Sequence, residues 1–274
     1  MVKLQVRRRR KTRPARERKT PSTRQQVLGW LVHAYTATGM VFAALIAVLL
    51  VRGNPADFRM AFLLMAIATI VDATDGTLAR KVRIKEAVPG FDGRRLDDII
   101  DYLTYTFLPI GLIWRAGILP AGYEPWLILA LLASVYGFCQ VQAKTDDGYF
   151  LGFPSLWNVV ALYVYALPFG PWVSLGLIIT LAFMTFVPSK YLYPSLPGRF
   201  NRFITILGIP WAIALGWVIY RLPVTLGAAL DSTTLAIAWV SLGYPILYMG
   251  ASWAITLAHW TRPRPSGETG DRTE

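Results

Sequence analysis

Residues 28–51 read LGWLVHAYTATGMVFAALIAVLLV, a run with no acidic or basic side chain except one histidine. As a helix it would extend about 36 Å, enough to cross the roughly 30 Å hydrocarbon core of a bilayer. In water such a helix would expose apolar surface on every face, whereas in lipid that surface is solvated. Similar runs occur at 58–79, 94–114, 125–143, 154–169, 172–187, 203–220 and 235–260, which predicts about eight transmembrane helices. No alternating strand pattern recurs, which argues against a lipid-facing barrel. The chain has 274 residues, 54% of them hydrophobic and 16% charged, outside the usual composition of a soluble domain. The expected fold class is therefore an all-α integral membrane protein.

Charge sets the expected orientation. With eight spans both termini share one side, and 24 of the 28 Lys and Arg residues fall on that side, leaving 4 on the other. The excess of positive charge assigns the termini and the 80–95 loop to the cytoplasm. Residues 1–26 include VRRRRKTRPARERK, too polar to pack a core, and read as a basic cytoplasmic tail. That tail suits a topological anchor or adhesion to anionic headgroups. Nucleic acid is not an expected partner, because no folded module with interleaved aromatics accompanies the charge. Residues 27–260 form the expected membrane domain and 261–274 a polar C-terminal tail. The single cysteine, Cys139, lies in an apolar run and reads as a packing residue.

Within this apolar chain stand five acids, in VDATDGTLAR (71–80) and GRRLDDIID (93–101). Ionised carboxylates are costly in such surroundings and are functional by default. Asp72 and Asp75 are three apart, and Gly93, Asp97 and Asp101 are each four apart, so each set lies on one helical face. The two segments flank a short basic loop, so their helices are expected to be antiparallel neighbours with converging acidic faces. Like charges that close raise one another's pKa unless a cation compensates. Carboxylates without nearby His or Cys favour Mg²⁺, Mn²⁺ or Ca²⁺ over zinc or copper. Gly76 and Ala79 leave room for a bulky group, and Arg80 offers a planar fork suited to phosphate. A lipid-linked diphosphate fits this combination.

The pattern D-x-x-D-G-x-x-A-R followed by G-x-x-x-D-x-x-x-D resembles the signature of the CDP-alcohol phosphatidyltransferases, integral membrane enzymes of phospholipid head-group synthesis. Asp72, Asp75, Gly76, Ala79, Arg80, Gly93, Asp97 and Asp101 fill every motif position. Residues 81–92 separate the arginine from the glycine, a longer interval than is usual in the family. That interval resembles the bacterial phosphatidylcholine synthase branch, as do DDGYFLGFPSLWN (146–158) and VPSKYLYPS (187–195).

The resemblance implies a bundle of the CDP-alcohol phosphatidyltransferase type in a bacterial inner membrane, with its active site cytoplasmic. It implies that the phosphatidyl group of CDP-diacylglycerol is transferred to choline, giving phosphatidylcholine and CMP. By the same resemblance Asp72, Asp75, Asp97 and Asp101 hold two divalent ions, Mn²⁺ or Mg²⁺, and Asp101 is also the general base. Gly76, Ala79 and Gly93 would make space for cytidine, with Arg80 near the nucleotide phosphate. Family members often look dimeric, so a homodimer is a further expectation.

Choline donates no hydrogen bond from its quaternary nitrogen, so its site is expected to use aromatic faces. The candidates are Tyr102, Tyr105, Tyr149, Phe153 and Trp157, and Lys190 is a candidate phosphate ligand. Asp98, off the motif face, is expected to pair with Arg94 or Arg95. His33 and His259 lack metal-ligand spacing and read as interfacial residues. Thr36 and Thr38 can line the site, though hydroxyls in membrane helices usually bond their own backbone. Phosphatidylserine or phosphatidylglycerophosphate synthase is the nearest alternative. A cation transporter fits poorly, because the acids cluster at one surface and no internal repeat is visible.

Overall fold

The computed structural model describes residues 21–140, 149–192 and 199–261. The basic run at residues 6–19, residues 146–148 of the second quoted stretch, 193–195 of the third and 262–274 lie outside the described residues. Helix dominates, and each of the eight apolar segments contains one.

Helix α1 (Thr23–Arg52) opens inside the segment read as tail, because a capping box forms there. The Gln25 N–H donates to Ser22 Oγ at 3.3 Å, and the Ser22 N–H donates to Gln25 Oε1 at 3.0 Å. The helix ends on Gly53 in the left-handed conformation, φ 69°, whose N–H returns to the Leu49 carbonyl. Its buried positions, including Gly29, Val32, His33, Gly39, Ala43, Ile46 and Leu50, repeat at helical spacing and form one stripe. Helix α2 (Pro55–Val82) begins with a proline whose missing N–H costs nothing there, and it packs along α1. A short α3 (Ile84–Ala87) leads to α4 (Gly93–Asp101).

From α4 the chain continues without a break through a π-helical segment, Tyr102–Phe107, into α5 (Leu108–Arg115). There the Leu108 N–H reaches back five residues to the Leu103 carbonyl. Pro109 gives the local reason: its ring would collide with the carbonyl four residues earlier in a regular α-helix, and it has no N–H to donate. Widening the preceding turn relieves both problems.

The remaining elements are α6 (Leu127–Cys139), α7 (Trp157–Ala166), α8 (Pro171–Phe186), α9 (Arg199–Arg221), α10 (Ser232–Ser241) and α11 (Gly243–Trp260). Two-residue strands, β1 (Phe150–Leu151) and β2 (Lys190–Tyr191), pair antiparallel, with Phe150 opposite Tyr191. Gly152 comes next at φ 82°, and a Cβ there would strike the Thr185 backbone carbonyl, so only glycine fits. The core runs between the helices and includes Ile46, Phe62, Leu112, Ile113, Trp157, Ile178 and Val218.

Among the described residues three helices are long and apolar enough to cross a bilayer: Thr23–Arg52, Asn201–Arg221 and Ser232–Trp260, the last combining α10 and α11. Shorter apolar helices occupy Glu124–Cys139, Trp157–Ala166 and Pro171–Phe186. Val51, Ile70, Trp114 and Val240 are largely exposed, which lipid tolerates and water does not. Because lipid tails are as apolar as the core, helix contact here depends on close packing. Gly39 illustrates this: a Cβ would come within 2.5 Å of Ile100 Cγ2 on α4.

Of the four basic residues expected on the non-cytoplasmic side, Arg59, Arg115 and Arg221 have side chains bonded at helix ends. Arg115 Nη2 donates to the Arg52 carbonyl at 3.3 Å, and Arg59 Nη1 to the Tyr220 carbonyl at 3.4 Å. Arg221 Nη2 meets Asp231 Oδ2 at 2.9 Å, while Asp231 Oδ1 accepts the Thr234 N–H at 3.0 Å and caps α10. That N–H, with Arg221 and the Thr234 hydroxyl, holds the Asp231 carboxyl well below the usual carboxylate range. Cys139 differs from its reading as a packing residue: it lies exposed at the C-terminal end of α6.

Candidate active site

The two halves of the acidic motif meet. Asp72 and Asp75 lie on α2, and Asp97 and Asp101 on α4, two helices that both pack on α1. One carboxylate oxygen each from Asp72, Asp97 and Asp101 lies within 4.8 Å of the other two. Oxygen ligands of a six-coordinate Mg²⁺ or Mn²⁺ sit roughly 3–4 Å apart, so small side-chain rotations close this group around an ion. The donor set is all carboxylate, as a hard divalent cation requires, and the three acids can hold one metal ion.

Asp75 is placed differently. It is 6% exposed, and its Oδ2 accepts a hydrogen bond from Thr36 Oγ1 of α1 at 2.7 Å. Thr36 Oγ1 also lies 3.4 Å from the Val32 carbonyl, so its single hydrogen favours the shorter, charge-assisted bond. Asp72 has a comparable donor: the Tyr105 hydroxyl, from the π-helical segment, donates to Asp72 Oδ2 at 2.8 Å. Asn158 Nδ2 of α7 donates to Thr69 Oγ1 of α2 at 3.3 Å. The stretch 146–158 thereby reaches the helix that carries Asp72 and Asp75 through Asn158, a residue that sequence reading passed over.

Around the acids the motif glycines have different settings. A Cβ on Gly76 would meet only Arg80 Nη1, at 3.4 Å, so that side is open. Arg80 is exposed and donates from Nη2 to Thr77 Oγ1 at 2.9 Å, and Ala79 is half-buried. On Gly93, by contrast, a Cβ would come within 2.5 Å of His33 Cε1. The resemblance gives Gly93 to the cytidine, but here its missing side chain makes room for an imidazole.

His33 is packed inside the protein. It is 5% exposed, its ring 4.5 Å from that of Phe91 and 5.9 Å from that of Trp30, and its Nε2 has no partner among the described residues.

Asp98 is exposed, and one of its expected partners is engaged elsewhere: Arg95 Nε lies 3.2 Å from Asp92 Oδ2. Asp92 also caps α4 by accepting the Arg95 N–H at 3.2 Å. Capping and ion pairing on the same acid outweigh the pairing expected from spacing alone.

Of the five aromatic candidates, Tyr105 is the one whose hydroxyl is bonded to a motif acid among the described residues. Tyr102 faces α6, its hydroxyl 3.5 Å from the Leu131 carbonyl and its ring edge-on to Phe138. Trp157 is fully buried, donates from Nε1 to Ser134 Oγ at 2.8 Å and packs edge-on against Phe153 in the core. Tyr149 lies under Lys190, whose Nζ is 5.4 Å from the ring centre. Lys190 is buried, and its backbone N–H donates to Thr256 Oγ1 at 2.7 Å.

Trp157→Ala is therefore expected to cost about 3–5 kcal/mol of stability, read as loss of folded protein in detergent. Unchanged stability with a raised choline KM would instead return Trp157 to an acceptor pocket.

No family model matches the chain. Relatives are found among known proteins. Phosphatidylcholine synthase of Pseudomonas aeruginosa is 41% identical over 198 residues, covering 72% of this chain and 82% of that protein. Phosphatidylcholine synthase of Bradyrhizobium diazoefficiens is 32% identical over 238 residues, 85% of this chain and 87% of that protein. The Legionella pneumophila protein of the same name is 40% identical over 181 residues, 65% of this chain and 69% of its own length. With identity sustained over most of both sequences, and with the acids converging on one site, the chain belongs to the phosphatidylcholine synthase family.

Proposed function

We propose that the chain is a metal-dependent phosphatidylcholine synthase, transferring the phosphatidyl group of CDP-diacylglycerol to choline. The observation that carries this reading is the convergence of Asp72 with Asp97 and Asp101. Asp72, Asp75, Asp97 and Asp101 would hold divalent Mn²⁺ or Mg²⁺, two ions when the site is full. The chemistry such ions supply is neutralisation of charge on the diphosphate and on the departing CMP.

The chain's own residues do the rest. Gly76 and Ala79 leave room for the nucleotide, and Arg80 lies within reach of its phosphate. Asp101 accepts the proton of the choline hydroxyl as its oxygen bonds to the phosphorus that carries diacylglycerol. The bond from that phosphorus to the bridging diphosphate oxygen breaks, and CMP leaves with the electron pair. Choline's ammonium needs an aromatic face, and Tyr105 offers one next to Asp72. We place the site at the cytoplasmic surface of the inner membrane. The eight apolar runs of the sequence and its positive-inside charge distribution support that topology.

The test is direct. Purified chain given CDP-diacylglycerol, choline and Mn²⁺ should release CMP and form phosphatidylcholine without a phosphocholine intermediate, and EDTA should stop the reaction. Product formed from serine or glycerol phosphate instead of choline would move the chain to another acceptor. Ion flux with no CMP release would end the transferase reading.

A further inference from the structure

We propose that Thr36 and Tyr105 are positioning residues of the metal site, each fixing the plane of one α2 aspartate by a hydroxyl hydrogen bond. This rests on the metal-dependent reading above and deepens it. Neither residue belongs to the acidic motif, and they come from two different helical segments, 39 and 33 residues from their partners in sequence. Both hydroxyls engage the Oδ2 of their aspartate, at 2.7 and 2.8 Å, well-formed O–H···O bonds.

The geometry has a chemical consequence. A carboxylate on a helix can rotate about its terminal bond and present either one oxygen or both to an ion. An O–H bound to Oδ2 uses one of that oxygen's lone pairs and restrains the rotation, which fixes the plane of the group. Oriented outer-shell partners of this kind typically contribute about 10–100-fold to metal affinity. Asp75 needs the bond most, because it is almost wholly buried and an ionised oxygen without a donor there is costly.

The experiment uses the full chain in detergent with no lipid substrate. Mn²⁺ is titrated and the free ion is measured by electron paramagnetic resonance. Tyr105→Phe and Thr36→Val should each weaken Mn²⁺ binding by about tenfold or more, while Thr36→Ser, which keeps the hydroxyl, should stay within about threefold of wild type. Tyr105→Phe keeps the ring, so its choline KM should hold while the Mn²⁺ concentration for half-maximal activity rises. Wild-type Mn²⁺ affinity in both Tyr105→Phe and Thr36→Val overturns the proposal. So does equal weakening in Thr36→Ser and Thr36→Val, because volume rather than the hydroxyl would then decide. Absence of CMP release from wild type, with the Mn²⁺ differences intact, would sink the transferase reading and leave the positioning roles standing.

Discussion

Asp101→Asn should lower choline-dependent CMP release by at least about 10³-fold while the protein still inserts and folds. Asparagine has nearly the same shape as aspartate, so packing within the helix is kept. It cannot accept the substrate proton, and it replaces an anionic metal ligand by a neutral one. Losing both roles at once places the effect at the upper end of general-base deletions. Asp75→Asn should be similarly inactive, and the amide oxygen can still accept from Thr36, so loss there reports charge and not collapse. Asp98→Asn is the internal control: Asp98 is exposed and off the motif face, and activity should stay within about twofold. Activity of Asp101→Asn within about tenfold of wild type would remove the assigned roles.

The second large effect is expected from Gly93→Ala. The added methyl would sit 2.5 Å from His33 Cε1. The imidazole cannot easily swing aside, because Phe91 and Trp30 border it. Overpacking of this kind costs about 1–3 kcal/mol, and relief requires α4 to move away from α1. Such a shift carries Asp97 and Asp101 with it, and a displacement of about 1 Å at a reacting centre is enough for roughly 10²-fold loss. Gly93→Ala combined with His33→Ala removes the collision and should recover most of the activity. A double variant that folds and remains inactive would show that Gly93 is kept small for the nucleotide, and the packing account would fail.

Much of this architecture was legible in the sequence because it arises from short-range rules. Apolar runs marked the helices, and the intervals of three and four placed the acids on single faces that meet as expected. Asp98 lost Arg95, one of its two expected partners, because Asp92, at the helix start, competes for Arg95 through a cap and an ion pair. Sequence spacing cannot weigh a cap against an ion pair. The links from Thr36 to Asp75 and from His33 to Gly93 join distant segments, and only the crossing of α1 over α2 and α4 creates them. The aromatic candidates were weak for another reason. Aromatic rings serve packing and substrate equally well, and Trp157 became core while Tyr105 turned toward Asp72. The π-helical turn before Pro109 was not read from the sequence, because hydrogen-bond register is set by the packed helix and cannot be read from one residue.

That distortion has a further effect, on permeability. In an unbroken α-helix, Asp97, Asp101, Tyr105, Leu108 and Leu112 would fall on one stripe at steps of three and four. The π turn of Tyr102–Phe107 takes up an extra residue and rotates the helix beyond it by about 100°. Beyond Tyr105 the helix turns apolar, and Leu108, Ile110, Leu112 and Ile113 are buried. In a bilayer those side chains would oppose the passage of water and ions past the carboxylates, because a charge entering hydrocarbon loses its hydration. The helix that carries the acids would then also carry the barrier behind them.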